Sequence, residues 1–215
     1  MKQLSDHLQR DGCARISAHS PDETTLAVAE RIGAVSSIRG VSSVQELAPR
    51  RTEEAAPTSY GGIYGLSAFP LHTDMAHWHI PPRYLLLRCI SAAPVETLVV
   101  HFREVLADED DVTLRRSVFR PRRRIEGRLT SLRLKHGEMH RWDPIFIVPV
   151  TAEAERLRER LVTRLSSTSA AKLALDGPTD CLLLDNWAVM HGRTHVPPTA
   201  MHRRLERVYL DFVRR

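Results

Sequence analysis

His72 and Asp74 stand one residue apart, and His191 follows more than half the chain length away. The first two lie in an extended-looking segment, Phe69-Pro70-Leu71-His72-Thr73-Asp74. In a strand, alternate side chains share a face, so His72 and Asp74 are expected to point the same way. An imidazole nitrogen and a carboxylate oxygen on one face can occupy adjacent corners of a metal polyhedron. A second histidine arriving from elsewhere would complete a 2-His-1-carboxylate set with open positions, the arrangement suited to non-haem Fe(II) and O2 chemistry. His-x-Asp alone is a short motif that arises often by chance. Bringing His191 beside it demands a closed fold whose late strands return to the early ones.

The 215 residues suffice for one domain with a sizeable core. Apolar content is ordinary and charge is high but mixed, as in a globular protein. The three cysteines, Cys13, Cys89 and Cys181, are far apart and form no Cys-x-x-Cys pair, which argues against a disulfide framework or zinc knuckle. A reducing, cytoplasmic setting is the expectation. The first residues carry no apolar run resembling a signal peptide, and no stretch is long and apolar enough to cross a membrane. A net charge of +5 allows acidic partners without demanding them.

Along the chain, a short helix is expected over Lys2 to Gln9, stopped by Asp11-Gly12, then a strand from Cys13 to Ser17. Ser20-Pro21-Asp22-Glu23 offers helix-starting chemistry for Thr25 to Ile32, ended by Gly33. Val41 to Leu47 reads as a strand, and residues 49–63 as a mobile loop beside the candidate metal site. Strands are expected over Tyr84 to Ile90, Pro94 to His101, Ile145 to Val150, Asp180 to Asn186 and Arg203 to Phe212. Asp108 to Asp111 reads as an acidic turn, and Thr151 opens an amphipathic helix running to Leu165. Many short strands with few helices predict a mainly β fold with flanking helices, an antiparallel double-sheet jelly roll. No internal repeat or second domain is evident, so residues 1–215 are expected to form a single domain.

The motifs fall in a specific order. Phe-Pro-Leu-His-Thr-Asp is followed by Pro81-Pro82-Arg83-Tyr84-Leu85-Leu86-Leu87 and then by Arg141-Trp142-Asp143-Pro144. Leu182-Leu183-Leu184-Asp185-Asn186 with His191-Gly192-Arg193 comes next, and Arg203-Arg204-Leu205-Glu206-Arg207 closes the series. In this order the chain, from about Leu26 onward, resembles the taurine dioxygenase and clavaminate synthase-like family of Fe(II)/2-oxoglutarate-dependent oxygenases, which has a double-stranded β-helix fold.

The resemblance implies His72, Asp74 and His191 as iron ligands. It matches Thr97 to a threonine that contacts the co-substrate, although Pro94-Val95-Glu96 departs from the glycine-rich approach usual before it. Arg203 corresponds to the arginine that pairs with the distal carboxylate of 2-oxoglutarate. Arg207 would lie near the other end of that molecule or near a substrate anion. The strand period agrees, placing Arg203, Leu205, Arg207 and Tyr209 on one face and Arg204 and Glu206 on the other. A guanidinium in a fold interior suits a bidentate carboxylate contact. The implied reaction consumes O2 and 2-oxoglutarate, releases succinate and CO2, and hydroxylates a C–H bond of a small anionic or amino-acid-like molecule. Desaturation, epoxidation and cyclisation share the same oxidising step. A carboxylate at position 74 argues against halogenation, which needs that corner for halide.

Other residues have blander readings. His77 and His79 fall on the opposite face from His72 if the strand continues, which makes them wall residues, with His77 a candidate to face the substrate. His195 and His202 read as solvated loop residues, Trp78 and Trp187 as packing near the site, and Arg193 as a buried ion-pair partner. Cys89 and Cys181 read as inert core thiols. The basic stretch from Arg115 to Lys135 lies in a short lid-like segment, around 113–140. An oxygenase acting on nucleic acid or protein is the alternative this charge suggests, but only Phe119 interrupts the run near Arg116 and Arg120, which gives little for base stacking. A non-catalytic basic binding protein with a relic metal site is a further alternative. Homo-oligomerisation is compatible with the sequence.

Overall fold

The computed structural model describes residues 2–214 apart from Ala18 and Glu126. In chain order the elements are α1 (Lys2–Asp11), β1 (Cys13–Ile16), α2 (Thr25–Ile32), β2 (Gly33–Val35), β3 (Gln45–Leu47), α3 (Tyr60–Tyr64), β4 (Phe69–His72), β5 (Tyr84–Ser91) and β6 (Thr97–His101). They continue with α4 (Phe102–Val105), α5 (Asp111–Arg116), β7 (Val118–Pro121), β8 (Leu132–Arg133), β9 (Lys135–His136), β10 (Met139–His140), β11 (Ile147–Pro149) and α6 (Ala152–Ser167). The last four strands are β12 (Ala171–Leu173), β13 (Cys181–Asp185), β14 (Val189–Arg193) and β15 (Arg204–Val213).

Two antiparallel sheets form the roll. The larger runs β1-β13-β5-β15-β2, with β3 also paired to β15, and the smaller runs β12-β6-β14-β4. Strand β5 shows why the central run is almost continuously apolar. Leu85, Leu87 and Cys89 face the smaller sheet and pack with Val99, Val189, Leu205 and Tyr209. Leu86 faces outward into a second cluster with Val28, Ala29 and Ile32 of α2. A strand covered on both faces has no solvent side to decorate with polar residues.

The outer face of the smaller sheet is covered by α6 and by a small sheet of order β11-β7-β8. Ala154, Leu157 and Leu161 form the buried stripe of α6, and the Thr151 side chain caps it by accepting from the Ala154 N–H. Phe119, Leu132 and Leu134 are fully buried beneath it. The basic segment is therefore no detached lid. It includes two strands anchored in the core through Phe119 and Leu132, with Arg120 and Arg133 on their exposed faces.

Several boundaries and caps differ from expectation for local reasons. Helix α2 has the expected span, Thr25–Ile32, but Thr24, not Ser20, supplies the cap to Ala27 N–H. The acidic turn is a helix start, with Asp110 accepting from Thr113 N–H at 2.8 Å to cap α5. Its neighbour Glu109 pairs with Arg160 and Arg164 of α6. Residues 49–63 are not one mobile loop: they hold a 3₁₀ turn, Thr52–Glu54, and α3, capped by Ser59.

Candidate active site

Strands β14 and β4 pair with His191 directly opposite His72, which sets the two imidazoles side by side with ring centroids 4.6 Å apart. Asp74 completes the group. Its Oδ1 lies 3.5 Å from His72 Nε2 and 3.6 Å from His191 Nε2. The three candidate ligand atoms lie within 4.8 Å of one another, and all three residues are buried. The same-face argument holds for a different reason than expected, because β4 stops at His72 and Asp74 sits in a turn.

That turn is held from outside. Thr73 N–H donates to Trp142 O at 2.7 Å, and Trp142 N–H donates back to Thr73 Oγ1 at 3.1 Å. Asn186, fully buried at the end of β13, accepts from Asp74 N–H at 2.8 Å through Oδ1. Its amide donates to the carbonyls of Asp74 and Pro82, each at 3.0 Å. Met75, at φ 55°, occupies the left-handed region next to this clamp.

The electrostatics suit a cation. Burial alone would raise the Asp74 pKa, but the charge of Arg207 and contacts from His191 and His72 outweigh it and hold the carboxyl well below the usual range. Arg207 Nη1 and the Tyr209 hydroxyl both donate to Asp74 Oδ2, at 2.7 and 2.9 Å, leaving Oδ1 facing the histidines. Burial would lower the pKa of His72, but its contacts with Asp74 raise it. Burial dominates at His191 and lowers its pKa. His72 Nδ1 lies 2.8 Å from Pro70 O; donating there fixes the tautomer that leaves an Nε2 lone pair toward Asp74. Two imidazole nitrogens, which a bound cation would hold deprotonated, and one charged carboxylate converge without intervening bulk and fit a divalent ion.

The group opens on a cavity of about 510 Å³. Arg203, Leu205, Arg207 and Tyr209 all line it, as the strand period required, together with Thr97 and Leu87. Arg203 is buried, and among the described residues its guanidinium has no hydrogen bond and no carboxylate partner; burial lowers its pKa. Thr97 opens β6 opposite Arg193 of β14. Arg207 is engaged at both ends, with Nη2 donating to Gln45 Oε1 at 2.6 Å.

Some neighbours correct the sequence reading. Arg193 has no carboxylate among the described residues. It donates to the carbonyls of Gly65 and Ser67 and stacks its guanidinium 3.9 Å from the Phe69 ring centroid. The alternation rule fails at His77 because the chain turns after Asp74. His77 lines the cavity with a buried, unpartnered Nδ1, and His79 is exposed. His195 and His202 are exposed, and Cys89 and Cys181 are buried free thiols, as expected.

Three further residues were given no role by the sequence reading, although Arg141 and Asp143 lie in its Arg-Trp-Asp-Pro motif. Tyr60 of α3 stacks on His72 at 4.2 Å and lies in the stretch read as a loop. Asp143 accepts from the N–H groups of Ile145 and Phe146, both at 2.7 Å, and lines the cavity. Arg141, fully buried, donates to the carbonyls of Ala76, Trp78 and His79 and so supports the loop beyond Asp74.

The model of the family described as taurine catabolism dioxygenase TauD, TfdA family matches residues 1–116. That is more than half of the chain, and the protein belongs to this family. Among solved structures, asparagine oxygenase in complex with Fe(II), 2S,3S-3-hydroxyasparagine and succinate superposes with a TM-score of 0.70 at 18% identity, over 97% of this chain and 78% of its own. PvcB, an Fe, alpha-ketoglutarate dependent oxygenase from an isonitrile synthetic pathway, gives 0.67 at 19% identity, over 97% and 79%. The non-heme iron oxygenase OrfP, in complex with Fe, succinate and (3S)-hydroxy-L-Arg, gives 0.67 at 20%, over 98% and 80%. No curated protein sequence matches the chain. The likenesses confirm the jelly-roll fold, and family membership makes the protein a dioxygenase. A His-Asp-His donor set that could hold a metal ion is in place among the described residues. No helix among the described residues is long and apolar enough to cross a membrane.

Proposed function

We propose that His72, Asp74 and His191 hold Fe(II), that Arg203 and Thr97 bind the distal end of 2-oxoglutarate, and that the protein hydroxylates an unactivated C–H bond of a small amino-acid-like substrate. The observation that carries this reading is one cavity with a buried, uncompensated Arg203 and a convergent donor triad in the same wall. Bound Fe(II) supplies the redox chemistry by which O2 and 2-oxoglutarate yield succinate, CO2 and an oxidised substrate. The protein's residues prepare that chemistry. Asp74 stays ionised across the physiological range because Arg207 and Tyr209 hold its second oxygen. The Pro70 carbonyl fixes the His72 tautomer, and the Tyr60 ring covers the His72 face. Arg203 offers a planar fork to a carboxylate, with Leu87 and Leu205 lining the same cavity as apolar wall.

The substrate class follows from the cavity and the relatives. Both asparagine oxygenase and OrfP are described with 3-hydroxylated amino acids bound. Here Arg207 faces the cavity beside Asp74, where a substrate carboxylate could share its guanidinium with Asp74 and Gln45. The nucleic-acid reading gains nothing, since Phe119, the aromatic interleaved in the arginine run, is fully buried and cannot stack on a base. Residues 1–215 act as one catalytic domain, in keeping with a cytoplasmic enzyme.

The test is an anaerobic titration of metal-free protein with Fe(II) and 2-oxoglutarate, following the visible charge-transfer band of the chelate. The wild type should develop the band, His72→Ala should abolish it, and Arg203→Ala should raise the 2-oxoglutarate concentration needed at least tenfold. Absence of a band in correctly folded wild type overturns the reading. A screen of free amino acids for succinate release then addresses the substrate.

A further inference from the structure

His77 stands in one wall of the 510 Å³ cavity. A second cavity, of about 460 Å³, lies on the other side of this residue, and His77 and Phe146 line both. The imidazole packs against the Phe146 ring with centroids 5.3 Å apart, and its buried Nδ1 has no partner. The two spaces thus share a wall of one aromatic ring and one unsatisfied polar group. The second cavity has apolar lining from Pro57, Ile63, Ile125 and Ile145, and its charge comes from Arg122, Arg123 and Arg124 in succession.

These three arginines differ from the paired arginines of the helices nearby. Arg115 pairs with Asp111, Arg158 with Glu155, and Arg160 and Arg164 with Glu109. Among the described residues none of Arg122, Arg123 and Arg124 meets a carboxylate; Arg124 has only a long contact to Gly127 O at 3.4 Å. The run is nevertheless placed by the fold. Arg122 N–H donates to Phe146 O at 2.8 Å, tying the start of the run to the residue that borders both cavities. Three uncompensated guanidinium groups over an apolar floor make a site for an oxyanion attached to an organic body.

We infer that Arg122, Arg123 and Arg124 form an anion subsite for the far end of the substrate, so that the molecule hydroxylated is an amino-acid-like group carrying a phosphate-class tail. This rests on the function proposed above and extends it. The reacting end lies in the cavity beside Asp74, the linker passes His77 and Phe146, and the tail meets the arginines. His77 Nδ1 serves as the polar contact for the linker, which accounts for a buried nitrogen left without a protein partner. A free amino acid would fill only the first cavity and gain nothing from the second.

The probe is inorganic pyrophosphate, titrated calorimetrically into metal-free protein, since it would chelate iron. The comparison is with Arg122→Gln/Arg123→Gln/Arg124→Gln and, separately, with Arg203→Gln, which removes the other anion site. Expected is saturable binding to wild type, weakened at least tenfold in the triple variant and within twofold of wild type in Arg203→Gln. No binding to wild type, or equal binding to the triple variant, overturns the subsite, as does loss confined to Arg203→Gln. The Fe(II)/2-oxoglutarate band is measured in parallel on the triple variant, where it should be unchanged. A normal band without pyrophosphate binding sinks the subsite alone, whereas a missing wild-type band sinks the oxygenase reading.

Discussion

Arg207 and Asp74 form a buried ion pair across the two sheets, with Nη1 2.7 Å from Oδ2, and Tyr209 adds its hydroxyl to the same oxygen. The pair orients the carboxylate so that Oδ1 faces both histidines. Removing one partner leaves the other charged and buried, which costs about 3–5 kcal/mol. Arg207→Met should therefore destabilise the metal-free protein by about 3 kcal/mol and weaken Fe(II) binding by about 10–100-fold, the range found when an outer partner of a metal ligand is lost. Tyr209→Phe should cost only a few-fold, because Arg207 remains. Denaturant melts and anaerobic iron titrations of the two variants check both statements; equal iron affinity in Arg207→Met and wild type would show that the pair does not position the ligand.

Asn186 holds the main chain of the same turn. Its amide satisfies one donor and two acceptors, all from buried backbone. Each buried group left unpaired costs about 1–3 kcal/mol. Asn186→Leu should lower unfolding free energy by about 3 kcal/mol or more, and Asn186→Asp by less, since it keeps the acceptor for Asp74 N–H. If both variants melt like wild type, the turn at Asp74 is held by Thr73 and Trp142 alone.

The proposed iron ligands and the face of β15 were legible because they depend on chemistry and on a period of two. His72, Asp74 and His191 are the residue types a divalent ion needs, and Arg203, Leu205, Arg207 and Tyr209 alternate along an extended segment. What was not legible depended on where strands end. Nothing in Leu71-His72-Thr73-Asp74 shows that pairing stops at His72, because the stop comes from Trp142 and Asn186, remote in sequence. The strand does not continue to His77, so alternation does not govern that residue, which lines the cavity as a wall residue. Tyr60 was hidden for a related reason: its stretch is rich in turn residues, and its stacking on His72 is a tertiary contact with no local pattern. Arg193 was read as an ion-pair partner, but its nearest partners are two backbone carbonyls and an aromatic face, which leave no mark on the sequence.

Acid should weaken the fold through His101. Burial, reinforced by Arg103 and His140, pushes its pKa down to about 4. The neutral Nδ1 accepts from Arg103 N–H at 3.1 Å and caps α4. In the unfolded chain this histidine takes up a proton near pH 6.5, about where a free imidazole titrates. Between about pH 6.5 and about 4 the unfolded state thus binds more protons, so this contribution to stability is complete above that window and is lost as pH falls through it. His101→Asn keeps a capping acceptor that does not titrate in this range, and should flatten the stability profile there. Denaturant unfolding at stepped pH measures the difference; parallel profiles for the two proteins would remove His101 as the cause.

Gly192 lies between His191 and Arg193, at the irregularity in the pairing of β14 with β4. A Cβ added there would sit 2.6 Å from Phe69 O and 3.3 Å from Pro70 C, both backbone atoms that cannot swing aside. The two strands must then separate by several tenths of an ångström, and they are the strands that carry His72 and His191 in register. Gly192→Ala should cost about 1–3 kcal/mol of stability, as overpacking does, and should also lower Fe(II) affinity by at least tenfold through the displaced histidine pair. Gly40→Ala supplies the comparison. It has open space around the new Cβ but a φ of 76°, so it should lose about 1–2 kcal/mol through backbone strain without touching iron binding. Two variants of similar stability and different iron affinity would show that the β4–β14 approach sets the ligand spacing. If Gly192→Ala binds Fe(II) as tightly as Gly40→Ala, the register tolerates the shift, and Asp74 alone governs the affinity.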